Sequence, residues 1–214
     1  MFFIALFVND IMVYKLVKIA GLSISAASLV FPITYLITDI IAETYGYRVS
    51  KRIIWLSVIF NIVFCALIAL LIKLPSPSNW PLQSAFNSIF DSILYISLTH
   101  IVITPLSYLV NTYLISRWKI VVNGKYFIIR SIVSSAIGEF IFSAAMVFII
   151  WHGKGFNVSL ISLSLLTYLS KLTWNIVGSI PALFVVKIIK KIDHADVYDF
   201  NLRARKAVTS RITS

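Results

Sequence analysis

Long, uninterrupted apolar runs dominate this chain and decide the solvent in which it folds. Cut at charge clusters and at Pro/Asn/Ser/Gly stretches, they give six segments, near 2–20, 22–45, 53–72, 89–115, 126–151 and 159–186. A helix rises about 1.5 Å per residue and the hydrocarbon core of a bilayer is about 30 Å thick, so roughly 20 apolar residues cross it. The second to sixth segments reach that length. The first is weaker, because Asn9 and Asp10 interrupt it and Lys15 follows; it reads as a tilted span, or as a chain that begins downstream of the natural start. With 59% hydrophobic and only 13% charged residues, the chain cannot close all these runs around one aqueous core. The expected fold class is an all-α integral membrane protein, a six-transmembrane-helix bundle over 1–190 followed by a basic cytoplasmic tail over 191–214.

A net charge of +11 would suggest a nucleic-acid partner in a soluble protein, but the placement of the charges argues for a membrane instead. Fourteen of the 19 Lys and Arg residues fall in three clusters: Arg48, Lys51 and Arg52; Arg117, Lys119, Lys125 and Arg130; and Lys187, Lys190 and Lys191 with Arg203, Arg205, Lys206 and Arg211. They follow the second, fourth and sixth segments, whereas Lys73 and Lys154 stand alone in the opposite links. By the positive-inside rule the clusters mark the cytoplasmic side and both termini are cytoplasmic. The N-terminus lacks a basic n-region and a small-residue cleavage site, so it reads as a retained span and not a signal peptide.

Ionisable groups inside a bilayer are costly, so those that persist within spans are the first functional candidates. Tyr35, Asp39 and Glu43 step along one face of the second helix at i, i+4, i+8. Glu43 lies closest to the membrane surface, where Arg48 and Arg52 are its nearest candidate partners. The fourth helix carries His100, Thr104, Tyr108 and Thr112 with Asn111 beside them, and Pro105 frees a carbonyl there. The fifth carries Ser131, Ser135, Glu139 and Ser143, and the sixth Thr167, Lys171, Asn175 and Ser179. Facing stripes would enclose a polar pocket holding Asp39, Glu139 and Lys171, with Lys171 paired to a carboxylate in the absence of ligand. The alternative use of such stripes is helix-to-helix packing.

Catalytic chemistry finds no support. No phosphate-binding G-x-x-x-x-G-K-[ST] loop, H-E-x-x-H or G-x-S-x-G motif occurs, and His100, His152 and His194 lie in separate regions. Cys65 is the single cysteine, which rules out an intramolecular disulfide and leaves it as a small core residue. No metal site and no cofactor is expected.

One block is more specific than composition. Phe31-Pro-Ile-Thr-Tyr35-Leu-Ile-Thr-Asp39-Ile-Ile-Ala-Glu43-Thr-Tyr-Gly46-Tyr-Arg48 resembles the queuosine precursor transporter family, also called the vitamin uptake transporter family. The resemblance extends from Asn9 through Ser107 to Thr112, Arg130 to Phe148, Lys171 to Pro181 and Asp196-Val-Tyr-Asp199. It implies a six-helix bacterial inner-membrane protein, similar in outline to the substrate-binding components of energy-coupling-factor transporters. The implied activity is uptake of 7-deazaguanine precursors such as preQ0 and preQ1 for salvage into tRNA queuosine. The family usually has Asp three residues after the Glu139 position, where this chain has Phe142. Glu139 or Asp39 would meet the donor edge of such a ligand, and Tyr35, Tyr108, Phe142 or Trp174 its flat face. Asn111 and Asn175 would complete the hydrogen bonds. Two rival roles are a substrate-binding component that borrows a separate ATPase module, and a membrane assembly protein that uses the stripes for packing alone.

Overall fold

The computed structural model describes residues 1–200 apart from positions 14, 20, 78 and 155–157, with the side chains at 22, 150–154, 158–160 and 163 also excluded. Arg203, Arg205, Lys206 and Arg211, and the side chains of His152 and Lys154, therefore lie outside the described residues. Within them the order is α1 (Phe2–Met12), β1 (Leu16–Ile19), β2 (Leu22–Ser25), α2 (Ala27–Tyr45), α3 (Tyr47–Ile72), α4 (Gln83–Val121), α5 (Phe127–Lys154) and α6 (Val158–Ile192).

The described residues form an all-α bundle of six helices, five of them long and apolar enough to cross a membrane. Apart from the helices, the described residues form one antiparallel hairpin, β1 with β2, in register Leu16↔Ser25 to Ile19↔Leu22. That hairpin corrects the expected first span. Helix α1 stops at Met12 after 11 residues, about half a bilayer crossing, and residues 16–25 turn back as two short strands. Short segments such as Leu-Val-Lys-Ile and Leu-Ser-Ile-Ser suit a pleated strand, and they gain ladder hydrogen bonds that a fraying helix end lacks. Ser25 ties the hairpin down, its hydroxyl donating to Val13 O at 2.7 Å.

Helix α2 is the axis of the bundle and touches the other five helices. Its central position explains its composition: Thr34, Tyr35, Thr38, Asp39 and Thr44 are fully enclosed and must find polar partners on other helices or on their own carbonyls. Close approach of α5 depends on Gly138, where a Cβ would stand 2.9 Å from Tyr35 Cε1 and 3.0 Å from Ser107 O. At the end of α2, Gly46 turns the chain straight into α3 with φ +86°, a conformation that favours glycine.

The outward faces of α3 and α6 are apolar and exposed, as lipid requires: Trp55, Ile59, Ile62 and Leu67 on one, Ile176, Val177, Ile180 and Phe184 on the other. The basic clusters after α2 and α4 and at the end of α6 converge on one end of the bundle. The hairpin caps the opposite end. Residues 193–200, assigned above to a tail, return to the basic end and pack there, with Val197 N donating to Thr44 O at 3.0 Å.

Candidate functional site

Polar groups run through the bundle from the basic end towards the hairpin. Nearest the basic end, Glu43 is 1% exposed and does not pair with Arg48 or Arg52. Those two residues are exposed on α3, across the Gly46 turn, while Glu43 points inward. It accepts from Arg130 Nη1 of α5 at 2.8 Å and from Lys190 Nζ of α6 at 2.8 Å. Lys119 of α4 completes the cluster, donating to the Glu43 carbonyl at 2.5 Å, to Asp196 Oδ1 at 2.6 Å and to the Val197 carbonyl at 2.8 Å. Four helices and the C-terminal segment are thus sealed together by charge.

One turn further along α2, Asp39 is fully buried and saturated. Its oxygens accept from Asn111 Nδ2 at 2.7 Å, Ser131 Oγ at 2.5 Å and Ser135 Oγ at 3.1 Å. Glu139 of α5 is also fully buried but only half satisfied: Oε1 accepts from Asn175 Nδ2 at 3.4 Å, and Oε2 has no hydrogen-bond partner among the described residues. Next come two phenols packed at a tilt, Tyr35 and Tyr108, with centroids 4.4 Å apart. Tyr35 donates to Ser107 Oγ at 3.0 Å, and Tyr108 is hydrogen-bonded to Thr34.

Beyond the phenols the chemistry changes. Phe31 and Phe142 meet with centroids 4.6 Å apart, and the Lys171 ammonium lies over both, at 3.8 and 4.8 Å. No carboxylate oxygen lies within 4.0 Å of that ammonium among the described residues, which corrects the expected Lys171–carboxylate pair. Lys171 is held by cation–π contact with the two rings, and Glu139 acts on it through space from beyond salt-bridge distance. Above it a cavity of about 180 Å³ runs towards the hairpin, lined among others by Asn9, His100, Phe142, Thr167 and Lys171.

Of the residues singled out from the sequence, Tyr35, Asp39, Tyr108, Asn111, Glu139, Phe142, Lys171 and Asn175 are all buried inside the bundle. They do not share one pocket. Lys171 and Phe142 line the cavity, Asp39 is enclosed in its own hydrogen bonds, and Glu139 with Asn175 lies between. Trp174 is 46% exposed on α6 and stands apart from them. Sequence reasoning missed Asp10. Two adjacent polar residues in an apolar run read as a break, yet both are buried, and Asp10 accepts from Ser97 Oγ at 2.9 Å and Asn61 Nδ2 at 3.2 Å.

The arrangement is a cavity with a cation and an aromatic ring, Lys171 and Phe142, in its lining, above a run of buried polar side chains that the Glu43 cluster closes at the basic end. Among the described residues no group of three His, Cys, Asp or Glu side chains is placed to hold a metal ion. The model of a family described as "Putative vitamin uptake transporter" matches residues 25–186, about three quarters of the chain. No curated protein and no solved structure matches it. The chain belongs to the vitamin uptake transporter family, and is accordingly a multi-pass membrane transport protein and not an enzyme.

Proposed function

We propose that this protein takes up a queuosine precursor, a 7-deazaguanine such as preQ0 or preQ1, across the bacterial inner membrane for tRNA queuosine salvage. The observation that carries this reading is the cavity whose lining brings the Phe142 ring and the Lys171 ammonium together. A deazaguanine offers a flat face for the Phe142 ring and a carbonyl oxygen for the ammonium. Its N1–H and exocyclic amine need acceptors. Asn9 Oδ1 on the cavity wall and Glu139 Oε2, one turn nearer the basic end, are buried acceptors without partners among the described residues. Asp39, Asn111 and Asn175 line the onward path in this reading, and Tyr35 with Tyr108 separates it from the cavity.

The basic end faces the cytoplasm by the positive-inside rule, so the cavity opens towards the outside and the charge cluster at Glu43 closes the inside. Reporter fusions after Ser50, Asn79 and Asn123 should read in, out, in; a cytoplasmic signal at Asn79 overturns the orientation. The substrate is tested by uptake of labelled preQ0, preQ1 and queuine in a salvage-deficient host. Accumulation of preQ0 or preQ1 that disappears with Lys171→Met is expected, and no accumulation of any of the three refutes the assignment. Co-purification with a separate ATPase module would make the chain the substrate-binding component of a larger transporter.

A further inference from the structure

His100 stands on the α4 wall of the cavity, 4% exposed, with one ring nitrogen committed and the other open. Nδ1 lies 2.5 Å from Asp10 Oδ1 of α1. With Nδ1 engaged by the Asp10 carboxyl, Nε2 is the ring nitrogen left to exchange a proton. Nε2 has no hydrogen-bond partner among the described residues. Asp10 is itself 1% exposed and braced by Ser97 and Asn61, so it fixes the ring rather than following it. On the far side of the ring is a second void of about 10 Å³, lined by Asp10, Ser57, Asn61 and Thr104 among others, near the lower limit for one water.

We propose that His100, oriented by Asp10, is a proton-binding site in the cavity wall, and that its proton travels with the substrate, making the protein a proton-coupled carrier. This inference rests on the transport reading above. The step is simple: a proton from the aqueous phase on the hairpin side adds to Nε2, the imidazolium is balanced by Asp10, and the proton leaves Nε2 to water on the basic side. No other bond forms or breaks.

Coupling follows from what faces the ring. Lys171 of α6 and His100 contact the same Phe142 ring, at 4.8 and 5.2 Å. A protonated His100 therefore puts two cations on one cavity, with Asp10 behind one of them. From α3 the neighbours of Asp10 are Asn61 and Cys65, whose thiol donates to Asn61 Oδ1 at 3.3 Å. From α5 the nearest acid is Glu139, one turn towards the basic end, and α2 presents Phe31 and Ser28. A ligand with lone pairs between the two cations relieves their repulsion, so bound proton and bound substrate favour each other, and by linkage each raises the affinity of the other.

The test uses the purified protein in liposomes that enclose a pH-sensitive dye, with labelled preQ0 or preQ1 outside. An acid-outside gradient should speed uptake several-fold, and uptake should acidify the lumen. His100→Gln, which keeps an amide for Asp10, should lose the gain in affinity that acid pH gives the parent in calorimetry, and with it both gradient stimulation and acidification. Asp10→Asn should behave likewise. Parent uptake that ignores the gradient and leaves the lumen unchanged overturns the inference, as does a folded His100→Gln that retains both effects. If the variants do not fold, the parent's proton flux alone decides. Binding without uptake by the isolated protein also overturns it, while leaving the substrate reading intact. A parent that binds neither preQ0 nor preQ1 removes the substrate reading and this inference with it.

Discussion

Removing the charge of Glu43 is the sharpest test of how the bundle is held. In Glu43→Gln the side chain keeps its shape, but Arg130 and Lys190 lose the anion they share at 2.8 Å each. Breaking a buried ion pair by deleting one partner costs about 3–5 kcal/mol, because the other charge is left enclosed. Here the loss is moderated. Arg130 keeps the carbonyls of Lys125, Ile115 and Gly124, and Lys190 keeps Asp196 at 2.8 Å and is a quarter exposed. The expected loss is therefore near the lower end, about 3 kcal/mol, or a fall of about 6–12 °C in Tm at roughly 2–4 °C per kcal/mol for a chain of this size. The assay is thermal unfolding of purified parent and variant in one detergent, with Arg130→Met, Glu43→Gln/Arg130→Met, and Arg48→Ala/Arg52→Ala alongside. The double variant should lose less than the sum of its parts, and the Arg48/Arg52 variant should stay within about 1 °C, as exposed ion pairs contribute little. Additive losses, or a larger fall for the Arg48/Arg52 variant than for Arg130→Met, would refute the assignment of Glu43 to the interior cluster.

Lys171→Met removes the cation–π contacts with Phe31 and Phe142 and the cation that acts through space on buried Glu139, so Tm should fall modestly, and preQ0 binding should weaken about tenfold to a hundredfold, as loss of a charge-assisted hydrogen bond would, measured by calorimetry. Gly138→Ala places a methyl 2.9 Å from Tyr35 Cε1 and should cost about 1–3 kcal/mol of overpacking, read as a lower Tm. Burial alone would raise the Asp196 carboxyl, but hydrogen bonds from Lys119 and Lys190 outweigh it and hold the carboxyl below the ordinary carboxylate range. A carboxyl depressed in the folded state contributes fully above its unfolded value, about 3.9, and loses that contribution as pH falls through the lower folded value. Protease protection of residues 193–200 should therefore fall at the acid end in the parent, and Asp196→Asn should lack that acid limb.

The i+4 stripes were legible because a lipid-embedded helix has one enclosed face, and a polar side chain must lie on it or be explained. Tyr35, Asp39, Asn111, Glu139 and Asn175 are all fully buried for that reason. Partners were less legible. Arg48 and Arg52 are near Glu43 along the chain, whereas Arg130 and Lys190 reach it only through the packing of α5 and α6 on α2, which no spacing encodes. The hairpin was hidden because four-residue segments after Met12 are too short for their period-2 alternation to stand out from the end of a helix. Asp10 was hidden for a related reason: its justification is His100, 90 positions away. Phe142 shows the opposite case. Read against the family pattern it is a missing acid; in the fold it is the ring shared by Phe31, Lys171 and His100.

The return of residues 193–200 to the basic end has a mechanical side. Lys119 grips the Glu43 carbonyl and the Val197 carbonyl with the same ammonium, and Asp199 Oδ2 accepts from Tyr47 N at 2.6 Å at the turn where α3 begins. The ends of α2, α3, α4 and α6 are thus stitched by one short piece of chain, and freeing any one of them leaves the other stitches closed. A thermal fluctuation that opens a single contact lets nothing through. To open the basic end, several of these contacts, all made by the eight residues 193–200, must break together.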